Sequence, residues 1–175
     1  MRIVKSFDGT IIEMDDCMGC AKAENMTNKN INQGEIIKTK NFDISQDFEL
    51  PINGFIVIGS LRHVESINEM TCQEKQELIT LIDVLLSALK KLNVCQQYNV
   101  IWEEKDSCHF HVWLMPRHSY LLEATGRNIT KAIGDVFEFA KNNLRTEENI
   151  SEIYNTIAKL KVELNSNAII QSLMP

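Results

Sequence analysis

The decapeptide HFHVWLMPRH, residues 109–118, holds three of the four histidines of the chain. Side chains alternate between faces along a β-strand. A strand over 109–115 therefore sets His109, His111 and Trp113 on one face and Phe110, Val112 and Leu114 on the other. The second face is apolar and packs on a core. Pro116 gives no N–H to a ladder and helps end the strand. The polar-aromatic face looks at a cleft, a partner or water. Three readings stand side by side: a half-buried strand that happens to carry histidines, a pair of imidazoles offered to one metal ion, or a nucleophilic imidazole that splits one hard displacement at phosphorus into two easier ones.

The segments around it build an α+β pattern. Glu103–Ser107 forms a charged turn back to a strand at Tyr98–Trp102, so 98–115 reads as a hairpin. Phe55–Ile58 is a short apolar run between Gly54 and Gly59, as expected of a strand covered on both faces. Thr71-Cys72-Gln73-Glu74 has the T-x-x-E capping pattern. The helix that follows, 73–92, aligns Leu78, Leu81, Ile82, Leu85, Leu89 and Leu92 on one face and ends in Lys90 and Lys91, which suit a helix C-terminus. Upstream, apolar alternation about Phe7-Asp8-Gly9-Thr10 predicts a hairpin, 15–34 a loop or short helix, and Glu35–Thr39 and Phe42–Ile44 short strands. After Pro116 the pattern turns helical, with stripes over 130–144 and 148–164 and Thr146 as the cap between them. The expected organisation is a domain over 1–120 and a helical extension over 121–175, packed on the same domain or on a dimer partner.

The chain has 175 residues, 44% hydrophobic and 24% charged, with a net charge of −6. That composition is globular. The negative charge argues against a general nucleic-acid surface but not against a nucleotide in a local pocket. No apolar run reaches membrane-spanning length, and the N-terminus lacks the apolar core of a secretion signal. A cytoplasmic protein is expected. The five cysteines are irregularly spaced and do not form a disulfide framework. Only Cys17-Met18-Gly19-Cys20 has the spacing of two zinc ligands, and two free loop thiols read equally well there.

Residues 109–117 resemble the histidine triad motif, His-φ-His-φ-His-φ-φ followed by Pro-Arg, at every position except the third histidine, where Trp113 stands. The run from Gly54 to His63 is similar to the family segment that precedes the long helix. Its Gly-to-His interval is kept, while Phe55 and Ser60 replace a histidine and a proline. The resemblance covers about residues 15 to 118. It implies a central antiparallel sheet with one long helix, usually in a homodimer, that binds a nucleoside phosphate or dinucleoside polyphosphate and hydrolyses or transfers at the α-phosphate.

By the same resemblance His111 is the nucleophile and His109 its supporting histidine. Related transferases with another third residue keep the nucleophile. Trp113 can donate one hydrogen bond but accepts none, which leaves it a contact to phosphate or base. Where many relatives have Gly-Gln-Ser or Gly-Gln-Thr, this chain has Glu104-Lys105-Asp106-Ser107, so Lys105 and Ser107 stand in as phosphate contacts, beside two acids. Bacterial relatives with an N-terminal C-x-x-C imply a structural zinc held by Cys17, Cys20, His63 and His109. Cys108, on the strand face opposite His109, is not counted as a ligand, and His118 reads as a surface residue. Arg62 and Arg117 flank the motifs and favour an enzyme. Trp113 and the acidic turn favour a nucleotide-binding protein with little turnover. A zinc-stabilised interaction protein is the third reading.

Overall fold

The structure, a computed structural model, describes residues 2–14, 17–23, 33–102, 104, 108–126 and 128–175. Seven strands and six helices follow in chain order among them: β1 (Arg2–Lys5), β2 (Ile11–Met14), α1 (Met18–Ala23), β3 (Glu35–Lys38), β4 (Phe42–Gln46), β5 (Ile56–Ser60), α2 (Cys72–Lys91), β6 (Tyr98–Trp102), β7 (His111–Pro116), α3 (Ser119–Thr125), α4 (Ile133–Asn143), α5 (Glu147–Asn165) and α6 (Ala168–Leu173). β1 and β2 form a hairpin of their own. The other five make one antiparallel sheet in the order β3-β4-β5-β7-β6. This is an α+β fold with one long central helix.

One face of the sheet is mainly apolar. Phe42, Ile44, Ile56, Ile58, Val112 and Leu114 meet Leu78, Leu81, Leu85 and Leu89 of α2 in the main core. Thr71 caps α2 by accepting from Glu74 N–H, and the Glu74 side chain accepts from the Thr71 N–H in return. Glu77, a carboxylate buried on this face, accepts hydrogen bonds from Thr39 Oγ1 at 2.6 Å and Asn41 Nδ2 at 2.7 Å. A buried charge needs such partners, and these tie α2 to the turn between β3 and β4. α5 packs beside α2 and β3 and adds Ile153, Ile157, Leu160 and Leu164 to the same core. Thr146 caps it by accepting from Asn149 N–H.

The opposite face carries Asp43 and Ser45 from β4, Val57 and Gly59 from β5, and His111 and Trp113 from β7. α3 and α4 cover one end of it, through a second cluster of Phe55, Met115, Leu121, Val136 and Ala140. The β1–β2 hairpin covers the other, where Val4 and Ile12 pack on Ala21 of α1 and on Phe48. Phe7, at the hairpin tip, is fully buried against Tyr154 of α5, whose hydroxyl donates to Asp8 at 2.7 Å. Arg145 donates to the carbonyls of Ser6 and Glu49. Both ends of the chain thus brace the segment 47–50, which walls the exposed half of this face.

The histidine strand begins at His111, not at His109. Cys108 and His109 lie in a bend, where His109 turns to bond with Ser60. No helix among the described residues is long and apolar enough to cross a membrane.

Candidate metal centre and histidine pocket

Four side chains from three distant segments converge beside β5 and β7. The ligand atoms of Cys17, Cys20, His63 and His109 all lie within 4.8 Å of one another. Cys17 and Cys20 bracket the first turn of α1, and the Cys20 N–H donates to Cys17 Sγ at 3.4 Å. His63 follows β5, and His109 precedes β7. Zinc–sulfur bonds of about 2.3 Å and zinc–nitrogen bonds of about 2.0–2.1 Å at the tetrahedral angle separate S and N by ~3.6 Å. The four Sγ···Nδ1 distances here are 3.4 and 3.9 Å from Cys17, and 3.1 and 3.6 Å from Cys20. The cluster fits a structural zinc.

The histidine tautomers agree with that fit. A carbonyl oxygen only accepts, so the 2.6 Å contact between His109 Nε2 and Ser60 O places the proton on Nε2 and the lone pair on Nδ1, which faces the sulfurs. His109 is buried, and burial holds its pKa below the ordinary value, in favour of the neutral form that binds metal. Gly19 makes the approach of α1 feasible. A Cβ there would come within 2.3 Å of the His109 ring. Cys108 is not on an opposite face from this cluster. The strand alternation starts only at His111, and Cys108 borders the same cleft as Cys17 and His109.

Next to this cluster opens a cleft of about 340 Å³ bordered by Lys22, Asp43, Ser45, Gly59, His111 and Trp113. His111 Nδ1 donates to the carbonyl of His109 at 3.0 Å, which assigns the lone pair to Nε2. Trp113 lies 5.3 Å from the His111 ring and is packed edge-on against Phe55 and Phe137, at 5.9 and 5.7 Å. The third triad position has thus been absorbed into an aromatic cluster roofed by α4. Trp113→Ala is expected to cost about 2 kcal/mol of stability by urea denaturation. Trp113→His should cost somewhat less.

The wall opposite His111 is polar. Lys22 Nζ donates to Ser45 Oγ at 2.7 Å and stands 4.0 Å from the Asp43 carboxylate. Burial pushes the Asp43 pKa up, and Lys22 and Lys38 oppose that. Asp47 accepts from the N–H groups of Glu49 and Leu50, yet its desolvation outweighs them and lifts its pKa to about 6. A carboxyl with a raised folded-state pKa stabilises most when protonated. Its contribution is complete below pH about 4 and is lost as pH rises through about 6. Asp47→Asn keeps the acceptor and removes the charge. Stability measured from pH 4 to 7 should therefore fall by about 2 kcal/mol less than in the parent protein.

Sequence reasoning placed His63, His109, Cys17 and Cys20 in one cluster and His111 and Trp113 beside it. Lys105 and Ser107 lie outside the described residues, as do Glu103 and Asp106. Glu104 turns away and accepts from Ser66 Oγ and Ile67 N–H. Arg62 pairs with Glu74 at 2.9 Å at the start of α2, and neither it nor Arg117 borders the cleft. His118 is not a plain surface residue. It stacks on Tyr120 and bonds to the Asn53 carbonyl at 2.8 Å. The sequence does not mark Lys22, Asp43, Ser45, Asp47 and Gly59 as parts of one site. The alternation Asp43-Ile44-Ser45 was the available signal, but which strands flank the histidines is a matter of sheet order.

No family model matches the sequence, and no curated protein matches it. Solved structures do resemble it. A Zn-bound histidine triad family protein from Mycobacterium smegmatis superposes with a TM-score of 0.55 at 15% identity, over 84% of this chain and 96% of the other. A diadenosine triphosphate hydrolase from Plasmodium falciparum, in complex with cyclomarin A, gives 0.54 at 13% identity, over 95% and 87%. A HIT family protein from Bacillus anthracis gives 0.52 at 18%, over 83% and 97%. The class is therefore an α+β fold built on a central antiparallel sheet. More particularly, the chain has the fold of the histidine triad proteins.

Proposed function

We propose that this protein is a nucleotide phosphohydrolase or nucleotidyl transferase with His111 as nucleophile. Its substrate is a nucleoside phosphate or dinucleoside polyphosphate. The observation that carries the reading is the hydrogen bond from His111 Nδ1 to the His109 carbonyl at a cleft wall, because it puts the attacking lone pair on Nε2. Attack forms an Nε2–P bond and breaks the bond from phosphorus to the leaving group. Water or another acceptor then takes the nucleotidyl group and restores the imidazole. The His109 carbonyl stabilises the positive charge the ring acquires. With zinc bound, His109 has both nitrogens engaged, so it positions His111 and does not move a proton for it. Zinc, when bound, would supply structural closure of α1 on the sheet.

Trp113 has no proton to exchange. Leaving groups that depart as anions, such as a nucleotide or pyrophosphate, are favoured over amines. Incubation with diadenosine polyphosphates and with AMP-phosphoramidate tests the reading through AMP release and a nucleotidyl-histidine adduct. Binding of AMP without release supports the second reading, a nucleotide-binding protein with little turnover. The packed Trp113 and the acidic wall of Asp43 and Asp47 favour that alternative.

The division into a 1–120 domain and a 121–175 extension packed on it belongs to the same proposal, supported by Ile153 and Ile157 in the core with α2. So does a homodimer. β6 is an edge strand with Val100 and Trp102 exposed, the kind of edge that pairs with a second chain. Sedimentation at micromolar concentration should show the dimer, and a pure monomer contradicts it.

A further inference from the structure

Across the three central strands, the cleft floor is a grid set by the strand register. Asp43, Gly59 and His111 form one row, and Ser45, Val57 and Trp113 the next. Facing residues on neighbouring strands lie about 4.5–5.5 Å apart, so Asp43 and His111 are ~10 Å apart at their Cα atoms. Gly59 is the bare square between them. A Cβ added at Gly59 meets no atom within 4 Å. Its φ is not in the left-handed region that favours glycine. β5 is hydrogen-bonded on both sides and shows no register break at Gly59. A glycine inside such a strand gives up packing and costs backbone entropy. Nothing in the backbone here requires it, and any small apolar residue would fit the fold. Local rules broken without local gain mark places where a ligand comes close to the backbone.

We propose that Gly59 is the specificity-determining residue of the cleft. It keeps open a trough across β5 in which the organic part of a phosphorylated ligand lies, between the phosphoryl group at His111 and the polar wall at Lys22 and Asp43. This rests on the reading of the cleft as a nucleotide site. The ligand class is a phosphate ester or anhydride with an extended organic group, not inorganic phosphate. Inorganic phosphate is small enough to sit at His111 without covering Gly59.

The test is a graded series, Gly59→Ala, Gly59→Val and Gly59→Leu, in the full chain. AMP and inorganic phosphate are the probes, both read by NMR shifts of the His111 ring. Thermal stability should hold or rise along the series, because the added atoms enter open space. AMP affinity should fall stepwise, by ~10-fold or more at Val, with phosphate affinity unchanged. Three results overturn the assignment alone: AMP binding that survives Gly59→Leu, AMP and phosphate lost in parallel, or a lowered Tm for Gly59→Val. A parent protein that binds neither AMP nor phosphate overturns the nucleotide reading itself, and this assignment with it.

Discussion

His111→Ala is expected to lower AMP release from dinucleoside polyphosphates by at least ~10⁴-fold, as removal of a covalent nucleophile does. The variant should fold normally and keep its zinc. Nδ1 of His111 donates to the His109 carbonyl, and the ring is not part of the four-residue cluster. AMP affinity should change far less than turnover, because His111 is one of many groups around the cleft. The histidine adduct should vanish in the same variant. An adduct that persists on another residue, or turnover within a factor of ten of the parent protein, sinks the assignment of His111.

The second large effect concerns the metal. Purified protein should hold about one zinc per chain. Cys17→Ser, Cys20→Ser or prolonged chelation should remove it. The sheet and α2 have their own apolar core, so the damage should be local. Amide exchange should speed up through residues 17–23, where α1 would be left with Met18 and Ala21 in a small apolar cluster and the polar contacts of Lys22. The amides of β5 and α2 should stay protected. AMP affinity should fall as well, because α1 carries Met18, Gly19 and Lys22 to the border of the cleft. Gly19→Ala should reproduce the loss without replacing any ligand, since its methyl group would strike the His109 ring. Zinc-free protein with unaltered exchange through 17–23 contradicts the structural role.

Much of this was legible in the sequence, and the reasons are local. α2 announces itself by its cap and leucine stripe, since both depend on residues within a few positions of each other. β6 was read to the residue for the same reason. The zinc cluster was legible only through resemblance. Nothing in the spacing of Cys17, Cys20, His63 and His109 says that three segments spread over ninety-odd positions meet. Cys108 and His109 show the opposite failure. Alternation was extended two residues too far, past the point where His109 leaves the ladder to bond with Ser60. Phe137 and Gly59 were not legible at all. The first reaches Trp113 only because α4 folds back over the sheet. The second is significant only in its row between Asp43 and His111.

His109 links the two chemistries through different parts of one residue. Its ring completes the zinc cluster, and its carbonyl orients His111. An ion on the ring and a nucleotide bound against His111 as proposed would therefore act on the same backbone setting. Thermodynamic reciprocity then fixes a relation between them. Whatever factor zinc adds to nucleotide affinity, bound nucleotide must add to zinc affinity. In a compartment where zinc is scarce, the protein would keep its metal longest while its ligand is abundant.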